Sequence, residues 1–245
     1  MKYNFFDLFV NIKDRNEYLE KIHKAVINNE KKVFFYLNSH SFFCCSKDET
    51  FKNTFLKADY IIADGYGIVW GLKFLYKQRV EKVVFTHSFV DKFGNDFSEK
   101  RLSIYMLGGN KLVITNAVSK IQEKFEGINL AGFSYGYFNS KEEEKIINDI
   151  NILKPDILIV GMGLPRSEIW INNNLPKLDT HCIISVGGFF DYMAGKIKFA
   201  PKWMHNSGLE WIYRLLQEPK RLSKRYFITQ PFFLKKVIKE YLRTR

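Results

Sequence analysis

The sequence has few cysteines and no long apolar run. These two absences argue against a disulfide-rich protein and against a membrane-spanning protein. Its three cysteines, Cys44, Cys45 and Cys182, show no metal-ligand spacing. We expect reduced thiols in a cytosolic protein. No run of about 18 apolar residues occurs, so no membrane-spanning helix is predicted. The N-terminal apolar stretch is too short for a signal peptide. Any membrane contact is therefore expected to be peripheral.

Common nucleotide and metal motifs are also missing. The segment Gly161-Met162-Gly163-Leu164-Pro165-Arg166 places Arg where G-x-G-x-x-G needs a small residue, which argues against the usual dinucleotide-binding fold. There is no G-x-x-x-x-G-K-[ST] phosphate loop and no internal repeat. The five histidines are scattered, and only His87 is kept as a candidate site residue. No metal site is predicted.

Acidic residues are scarce in the last part of the chain. Residues 196–245 carry 13 Lys and Arg against 3 Asp and Glu, whereas residues 1–195 carry 25 against 23. A nearly neutral body with a basic C-terminal segment indicates an acidic partner for that segment. The open choices are anionic lipid, nucleic acid and a phosphorylated substrate.

Apolar strand patterns alternate with helical patterns along the chain, and most strands end in glycine or a polar residue. This order predicts an α/β protein with a mostly parallel, Rossmann-like sheet and helices on both faces. Predicted strands end near residues 38, 63, 107, 133, 160 and 186. We predict a catalytic domain over residues 1–200 and a basic helical appendage over residues 201–245.

The residues that follow these strands define one candidate site. Ligands of open parallel sheets bind beyond the carboxyl ends of the strands. Asp-Gly is also a common turn pair, and glycines also simply end strands. Finding so many at one edge nevertheless favours a shared site. These residues are Asn38, Asp64, Gly108-Gly109, Gly161–Gly163 and Gly187-Gly188.

The basic C-terminal segment has two interpretations beyond a solvated helix face. Arg214, Arg221 and Arg225 are suited to a diphosphate, because guanidinium groups form forked hydrogen bonds to phosphate oxygens. The segment beyond Phe232 is amphipathic and basic, as a membrane-surface helix would be. Nucleic-acid binding shares the charge signature, but no recognised module motif accompanies it.

Several motifs taken together resemble the WecG/TagA/CpsF glycosyltransferases over residues 33–226. They occur in the family's order and spacing. The motifs are Ala63-Asp64-Gly65-x-Gly67, Gly108-Gly109, Gly136-Tyr137-Phe138, Pro155-Asp156 through Gly161-Met162-Gly163-x-Pro165, Val186-Gly187-Gly188-x-Phe190-Asp191, Ala200-Pro201, Leu209-Glu210-Trp211-x-Tyr213-Arg214 and Glu218-Pro219-x-Arg221.

The resemblance implies a bacterial enzyme that transfers a sugar from a UDP-sugar to a lipid-linked diphosphate acceptor. It also implies action at the inner face of the cell membrane without a cofactor or metal. The family's catalytic base falls on Asp64. Its strand-end Asn falls on Asn38, and an Asp near the nucleotide falls on Asp191. Its diphosphate-binding arginines fall on Arg214, Arg221 and Arg225. We expect these arginines, with the backbone N–H groups of Gly108-Gly109 and Gly187-Gly188, to stabilise the leaving UDP.

The chain departs from the family pattern where the sugar and acceptor are expected. Ser167 replaces a Gln, Tyr36 replaces a Thr, and the ungapped match places Lys82 on an Arg and His87 on an Asp. We therefore expect an altered sugar or acceptor. The other substrate-binding candidates are Gly108, Gly109, Tyr137, Gly161, Gly163, Pro165, Glu168, Gly187 and Gly188.

Two rival hypotheses remain at this stage. One is a non-catalytic scaffold of the same fold that binds a UDP-sugar or a lipid diphosphate. The other is a protein that binds nucleic acid or a lipid surface. A homo-oligomer is possible in each case, and no nucleic-acid partner is expected for the glycosyltransferase.

Overall fold

The structure is a computed structural model that describes residues 3–77 and 87–243. These residues form eight strands. Two short strands form an N-terminal hairpin, and six form the central sheet. The strands are β1 (Tyr3–Phe5), β2 (Leu8–Val10), β3 (Lys32–Leu37), β4 (Tyr60–Ala63), β5 (Ser103–Gly108), β6 (Asn129–Ser134), β7 (Ile157–Gly161) and β8 (Cys182–Ser185).

Twelve α-helices lie in the same described ranges, and a short 3₁₀ helix spans Leu175–Lys177. Most helices of the first 200 residues follow a strand directly, as the alternating pattern predicts. The helices are α1 (Arg15–Ile27), α2 (Ser39–Lys47), α3 (Glu49–Phe55), α4 (Tyr66–Tyr76), α5 (His87–Glu99), α6 (Lys111–Lys124), α7 (Ser140–Leu153), α8 (Arg166–Asn174), α9 (Phe189–Met193), α10 (Lys202–Asn206), α11 (Glu210–Gln217) and α12 (Pro219–Arg243).

The central sheet has the strand order β4-β3-β8-β7-β5-β6, and all its pairings are parallel. The predicted α/β fold with a parallel sheet is therefore confirmed. Parallel strands share one carboxyl edge, so the segments after β3, β4 and β8 emerge side by side. This edge holds the predicted site residues.

Two buried layers cover the two faces of the sheet. Residues alternate along each strand between the layers, as the pleat requires. On β3, Phe34 and Tyr36 face the layer formed by α1, α5, α6 and α9, whereas Phe35 and Leu37 face the other. The other layer contains α2, α3, α4, α7, α8 and part of α12. The sheet is thus covered by helices on both sides.

The N-terminal hairpin of β1 and β2 was not predicted from the sequence. Phe5 and Val10 are fully buried in the same layer as α2 and α4. Just beyond β2, Ile12 forms a parallel bridge to Ile62 of β4. This segment therefore covers the edge strand β4 and shields its backbone from further pairing.

The C-terminal helix α12 packs on the main body through one of its faces. Leu222, Thr229 and Phe233 are buried on that face. The Phe233 ring lies 5.9 Å from the Phe5 ring and 5.5 Å from the Phe42 ring. The basic C-terminal helical segment is therefore confirmed, and it shares a buried cluster with α2 and the hairpin. The division at residue 200 stays a prediction.

None of the described helices is long and apolar enough to cross a membrane. Lys82 lies outside the described residues. His87 opens α5, but its side chain is also outside the described part.

We expect Phe233→Ala to destabilise the whole protein by about 3–5 kcal/mol, because it removes a ring enclosed by two others. Phe227→Ala is the matched control, since Phe227 lies on the same helix and is 77% exposed. It should change the free energy of unfolding by less than about 0.5 kcal/mol. Urea unfolding followed by circular dichroism measures both. Equal effects of the two variants would show that α12 is not part of the core.

Candidate active site

Asn38 and Asp64 lie side by side at the carboxyl edge of the sheet, after β3 and β4. The Asn38 Nδ2 donates to the Asp64 Oδ2 over 3.2 Å. The Asn38 Oδ1 accepts from the backbone N–H groups of His40 and Ser41, both at 3.0 Å, and so caps α2. This capping fixes the amide and leaves its N–H₂ group directed at Asp64. The predicted pairing of these two residues at one edge is present.

Tyr36 brings a buried phenol to the same place. Burial is the main cause that raises the pKa of this phenol, and the carboxylates of Glu168 and Asp64 raise it further. The nearby charges of Arg225 and Arg214 act in the opposite direction. Tyr36 therefore stays protonated. Its O–H remains a hydrogen-bond donor near two carboxyl groups and two guanidinium groups.

Glu168 is a buried acid on α8. Its Oε1 accepts from the Ser185 hydroxyl at 2.5 Å, at the end of β8. The Oε2 is buried and has no hydrogen-bond partner in the described residues. Burial raises the pKa of Glu168 to about 7, because a carboxylate loses its hydration there.

Arg214 of α11 and Arg225 of α12 lie near Tyr36 at this edge of the sheet. Both are half-buried, and the Nε of each is buried without a hydrogen-bond partner in the described residues. The Arg214 guanidinium lies 5.4 Å from the centre of the Tyr192 ring. Burial lowers the pKa of Arg225, and the charge of Arg214 contributes to the same shift. Two cations held this close together favour an anion between them.

Arg221 does not join the other two predicted arginines. It is 52% exposed, and its Nε donates to the Glu218 Oε1 at 2.7 Å. A second hydrogen bond joins its Nη2 to the other oxygen of Glu218. The same carboxylate lies 3.7 Å from the Nε of Arg214. Arg221 therefore lies on the outer side of the cluster, held by a paired acid.

The strand-end glycines have packing roles. A Cβ on Gly187 would lie 2.9 Å from the Tyr36 hydroxyl oxygen, and one on Gly188 would lie 2.6 Å from an Arg214 nitrogen. A Cβ on Gly108 or Gly161 would collide with Phe190, at 2.8 and 2.6 Å. The absent side chains let Tyr36, Arg214 and Phe190 approach the ends of the strands.

One expectation about these glycines is wrong. The N–H of Gly109 donates to the Gly161 carbonyl over 3.2 Å, and the Gly109 carbonyl accepts from Gly136. The Gly109 N–H is therefore engaged within the protein and does not point at a diphosphate. Its positive φ of 62° instead lets the chain turn from β5 into α6.

The segment after β7 forms a tight turn. Gly163 has a φ of +86°, and the Leu164–Pro165 peptide bond is cis. Ser167 is buried, and its hydroxyl accepts from the Met162 N–H at 2.9 Å. The expected sugar contact of Ser167 finds no support, because this hydroxyl closes the turn. Tyr137 is exposed, and the Arg166 guanidinium lies 5.4 Å from its ring centre.

Asp191, predicted to lie near the nucleotide, is on α9 just beyond the Gly187-Gly188 pair. Its Oδ1 accepts from the Lys196 Nζ at 2.9 Å. Its carbonyl accepts from the backbone N–H groups of Lys196 and Ile197. Asp191 therefore holds the segment after α9 and is already paired with a cation.

Sequence reasoning missed His40, which follows Asn38 by two residues. Its Nδ1 is buried without a hydrogen-bond partner in the described residues. Burial and the nearby charge of Arg225 lower the pKa of His40 to about 4. The imidazole is thus neutral at physiological pH. The one signal in the sequence was its place beside the strand-end Asn.

A separate cavity of about 510 Å³ lies between the hairpin, α2, α3, α4 and the end of α12. Most of its charged residues already have charged partners, since Lys52 lies 4.0 Å from Asp7 and 3.8 Å from Glu49, and Arg243 donates to Glu240 at 2.7 Å. None of the candidate site residues at the carboxyl edge of the sheet lines this cavity. Several buried polar atoms without hydrogen-bond partners in the described residues, on Glu168, Arg214 and Arg225, belong instead to the residues near the carboxyl edge, which makes that edge the candidate site.

The arrangement at this edge can bind an anion and accept a proton. Asp64 supplies a carboxylate beside Asn38, and Arg214 and Arg225 supply positive charge. Within residues 3–77 and 87–243, no group of three or more His, Cys, Asp or Glu side chains is placed to hold a metal ion. The edge thus has the parts that transfer of a group with an anionic leaving group requires.

Comparisons with known proteins find several glycosyltransferases similar to this chain. One relative is the N-acetylglucosaminyldiphosphoundecaprenol N-acetyl-beta-D-mannosaminyltransferase of Bacillus subtilis (strain 168), 29% identical over 83% of this chain and 78% of the relative. Another is the UDP-Gal:alpha-D-GlcNAc-diphosphoundecaprenol beta-1,4-galactosyltransferase of Shigella boydii, 31% identical over 78% of this chain and 80% of the relative.

A third relative, from Staphylococcus aureus (strain MW2), carries the same name as the Bacillus subtilis protein. It is 31% identical over 75% of this chain and 70% of its own length. The family model described as "Glycosyl transferase WecG/TagA/CpsF family" matches residues 3–245. Since this match spans the whole described sheet and the helices that carry the arginines, the chain belongs to the WecG/TagA/CpsF family of glycosyltransferases.

Proposed function

We propose that this protein is an inverting glycosyltransferase that moves a sugar from a UDP-sugar to a sugar linked to polyprenyl diphosphate. The observation that carries the proposal is the meeting of Asp64, Asn38, Arg214 and Arg225 at the carboxyl edge of the sheet. The acceptors in the names of two relatives, N-acetylglucosaminyl-diphosphoundecaprenol and GlcNAc-diphosphoundecaprenol, support the acceptor class.

In the proposed reaction Asp64 removes the proton from the acceptor hydroxyl. The acceptor oxygen forms a bond to the anomeric carbon of the donor, while the bond from that carbon to the diphosphate oxygen breaks. The electron pair leaves with UDP, and the proton stays on Asp64. The hydrogen bond from Asn38 orients the carboxylate for this transfer.

The developing charge on UDP meets Arg214 and Arg225. Both guanidinium groups are half-buried, so water screens them less than it screens exposed cations. In this proposal the arginine pair supplies the positive charge that a bound cation supplies in other transferases. Gly187 and Gly188 contribute by letting Arg214 and Tyr36 come close to the end of β8.

The donor sugar is proposed by class only. N-acetylmannosamine is the sugar named for two relatives, and galactose is the sugar named for a third. A UDP-release assay across these and related UDP-sugars, with a GlcNAc-diphosphate lipid as acceptor, decides between them. Release with one donor that depends on the acceptor supports the proposal. UDP binding without release from any donor would favour a non-catalytic scaffold.

Contact with the membrane is proposed for the second face of α12. Four exposed apolar residues are spaced seven, four and four positions apart along α12, so they lie on one face of the helix. They are Phe227, Leu234, Ile238 and Leu242. The same helix carries Lys220, Lys224, Lys235 and Lys239. An exposed apolar stripe flanked by lysines suits the surface of an anionic membrane, here the inner face of the cell membrane where the acceptor lies.

We expect Asp64→Asn to lower the turnover rate by about 100- to 10,000-fold, because the amide cannot take the acceptor proton. UDP affinity should stay close to that of the unmodified protein. Transfer assays and calorimetric titration with UDP test the two parts. Asp179→Asn is the control, since Asp179 pairs with Lys154 far from this edge. Unchanged turnover in Asp64→Asn would refute the assignment of the base.

The three arginines should differ in their effect on UDP binding. Arg214→Ala and Arg225→Ala should each weaken it by about 10- to 100-fold, since charge-assisted hydrogen bonds are lost. Arg221→Ala should weaken it by less than about threefold, because Arg221 is exposed and paired with Glu218. Calorimetry measures all three. An equal loss in all three variants would contradict the division between inner and outer arginines.

Replacing Phe227, Leu234, Ile238 and Leu242 together by Ser should remove most binding to phosphatidylglycerol vesicles. The change leaves the buried face of α12 intact, so the fold should be retained. A matched control replaces Ile27, Leu112 and Ile152, which are exposed elsewhere, and should bind vesicles normally. Co-sedimentation measures binding. Equal loss in both variants would argue against a specific membrane face.

A further inference from the structure

A hydrogen bond and a ring contact join α12 to α2 at two successive levels. The Gln230 Nε2 donates to the Ser39 hydroxyl at 3.0 Å. Three residues further along both helices, the Phe233 and Phe42 rings meet at 5.5 Å. Since the offset between partners is the same at both points, the two helices run in the same direction.

This register carries Arg225 past the start of α2. Ser39 is the first residue of that helix, and Arg225 precedes Gln230 by five residues, about 7.5 Å along the axis of α12. Because α2 begins at the carboxyl edge of the sheet, Arg225 extends beyond the start of α2 toward the candidate site. Its charge accordingly acts on the Tyr36 phenol near the end of β3.

Pro231 separates Arg225 from the apolar contacts of Phe233. Proline has no backbone N–H, so residue 231 cannot donate to the carbonyl of residue 227 inside α12. A helix bends most readily at such a point, and apolar packing such as that of Phe233 is not directional. Phe233 therefore fixes the second part of α12 more firmly than the part that carries Arg225.

Gln230 gives the Arg225 part of the helix a directional contact. It lies just before Pro231, and a hydrogen bond such as that to Ser39 restricts both distance and angle. Leu222 and Thr229 are buried on the same part of α12, but the Thr229 hydroxyl has no hydrogen-bond partner in the described residues. The contact that fixes this part along the axis of α2 is therefore that of Gln230.

Ser39 also connects this hydrogen bond to the acid of the site. It directly follows Asn38, whose Nδ2 donates to the Asp64 carboxylate. The start of α2 thus holds the carboxylate through Asn38 and the helix of Arg225 through Ser39. A change at either contact alters the placement of the acid relative to the arginine.

We propose that Gln230 is a positioning residue for Arg225: its hydrogen bond to Ser39 sets the position of α12 along α2, and thereby the reach of the guanidinium toward the diphosphate of the substrate. This inference rests on the proposed function, because it takes the diphosphate as the ligand of Arg225. Gln230 acts through the arginine and does not itself react.

The test is a double-mutant cycle on UDP affinity, measured by calorimetry with the full chain. Gln230→Leu should weaken UDP binding by about three- to tenfold, the usual size of one lost neutral hydrogen bond. In an Arg225→Ala background the same change should alter UDP affinity by less than about twofold, because the arginine through which Gln230 acts is gone.

Changes at Ser39 test the same hydrogen bond from its other end. Ser39→Ala should weaken UDP binding as much as Gln230→Leu does. The double variant should bind UDP no more weakly than either single variant, since both changes remove one interaction. Ser39→Thr keeps a hydroxyl at this position and should retain the UDP affinity of the unmodified protein.

Asn151→Leu is the matched control for a merely structural effect. The Asn151 side chain donates to the Lys177 carbonyl and accepts from the Asp179 N–H, both over 2.8 Å, before β8 at the amino edge of the sheet. Its loss should lower the midpoint of thermal unfolding at least as much as Gln230→Leu does. UDP affinity should nevertheless stay unchanged in Asn151→Leu.

The outcomes separate this inference from the proposed function. If the unmodified protein binds UDP and Gln230→Leu binds it equally well, the inference alone is overturned. Additive losses from Gln230→Leu and Arg225→Ala also overturn it, as does an equal loss of UDP affinity in Asn151→Leu. Failure of the unmodified protein to bind UDP or inorganic pyrophosphate refutes the proposed function, and the inference fails with it.

Discussion

The packing of α12 along α2 is the contact on which the site depends. Asn38 and Asp64 directly follow strands of the sheet, whereas Arg225 is 187 residues after Asn38 and 161 residues after Asp64 in the sequence. The buried contacts of Phe233 with Phe5 and Phe42 help to bring the two parts together. Burying one phenylalanine side chain contributes about 1.5–3 kcal/mol. The position of Arg225 on α12 thus depends on hydrophobic burial.

Asn38 joins the two halves of this arrangement at a smaller scale. Its side-chain Oδ1 accepts hydrogen bonds from the backbone at the start of α2, and its side-chain Nδ2 donates to Asp64. Because α2 is also the surface on which α12 packs, the orientation of the acid and the placement of the arginines depend on the same helix. A disturbance at the start of α2 therefore reaches the acid and the cations together.

Much of the fold could be predicted from local pattern. Buried parallel strands are continuous apolar runs, and their glycine or polar ends were visible as far apart as Asn38 and Gly187. The N-terminal hairpin was missed because strands of three residues carry too little alternation to recognise. The docking of α12 was missed because its sequence has two apolar faces, and only the tertiary structure shows which one is buried.

The site residues were predictable in identity more than in role. The family pattern located Asp64, Arg214 and Arg225, but it does not report burial or hydrogen-bond partners. Ser167 was expected to contact a sugar, yet its hydroxyl closes a turn. Arg221 was grouped with the other arginines, yet Glu218 holds it outside. His40 carries no sequence signal beyond its neighbour, because its burial and the effect of Arg225 on its pKa arise from tertiary packing.

The two faces of α12 connect membrane and site in the proposed function. One face buries Thr229 and Phe233 and fixes Arg225, whereas the other exposes Phe227 and Leu234. A helix held rigidly by its inner face presents its outer face at a fixed height above the sheet edge. Lipid that covers the outer stripe would therefore lie at a constant distance from Asp64.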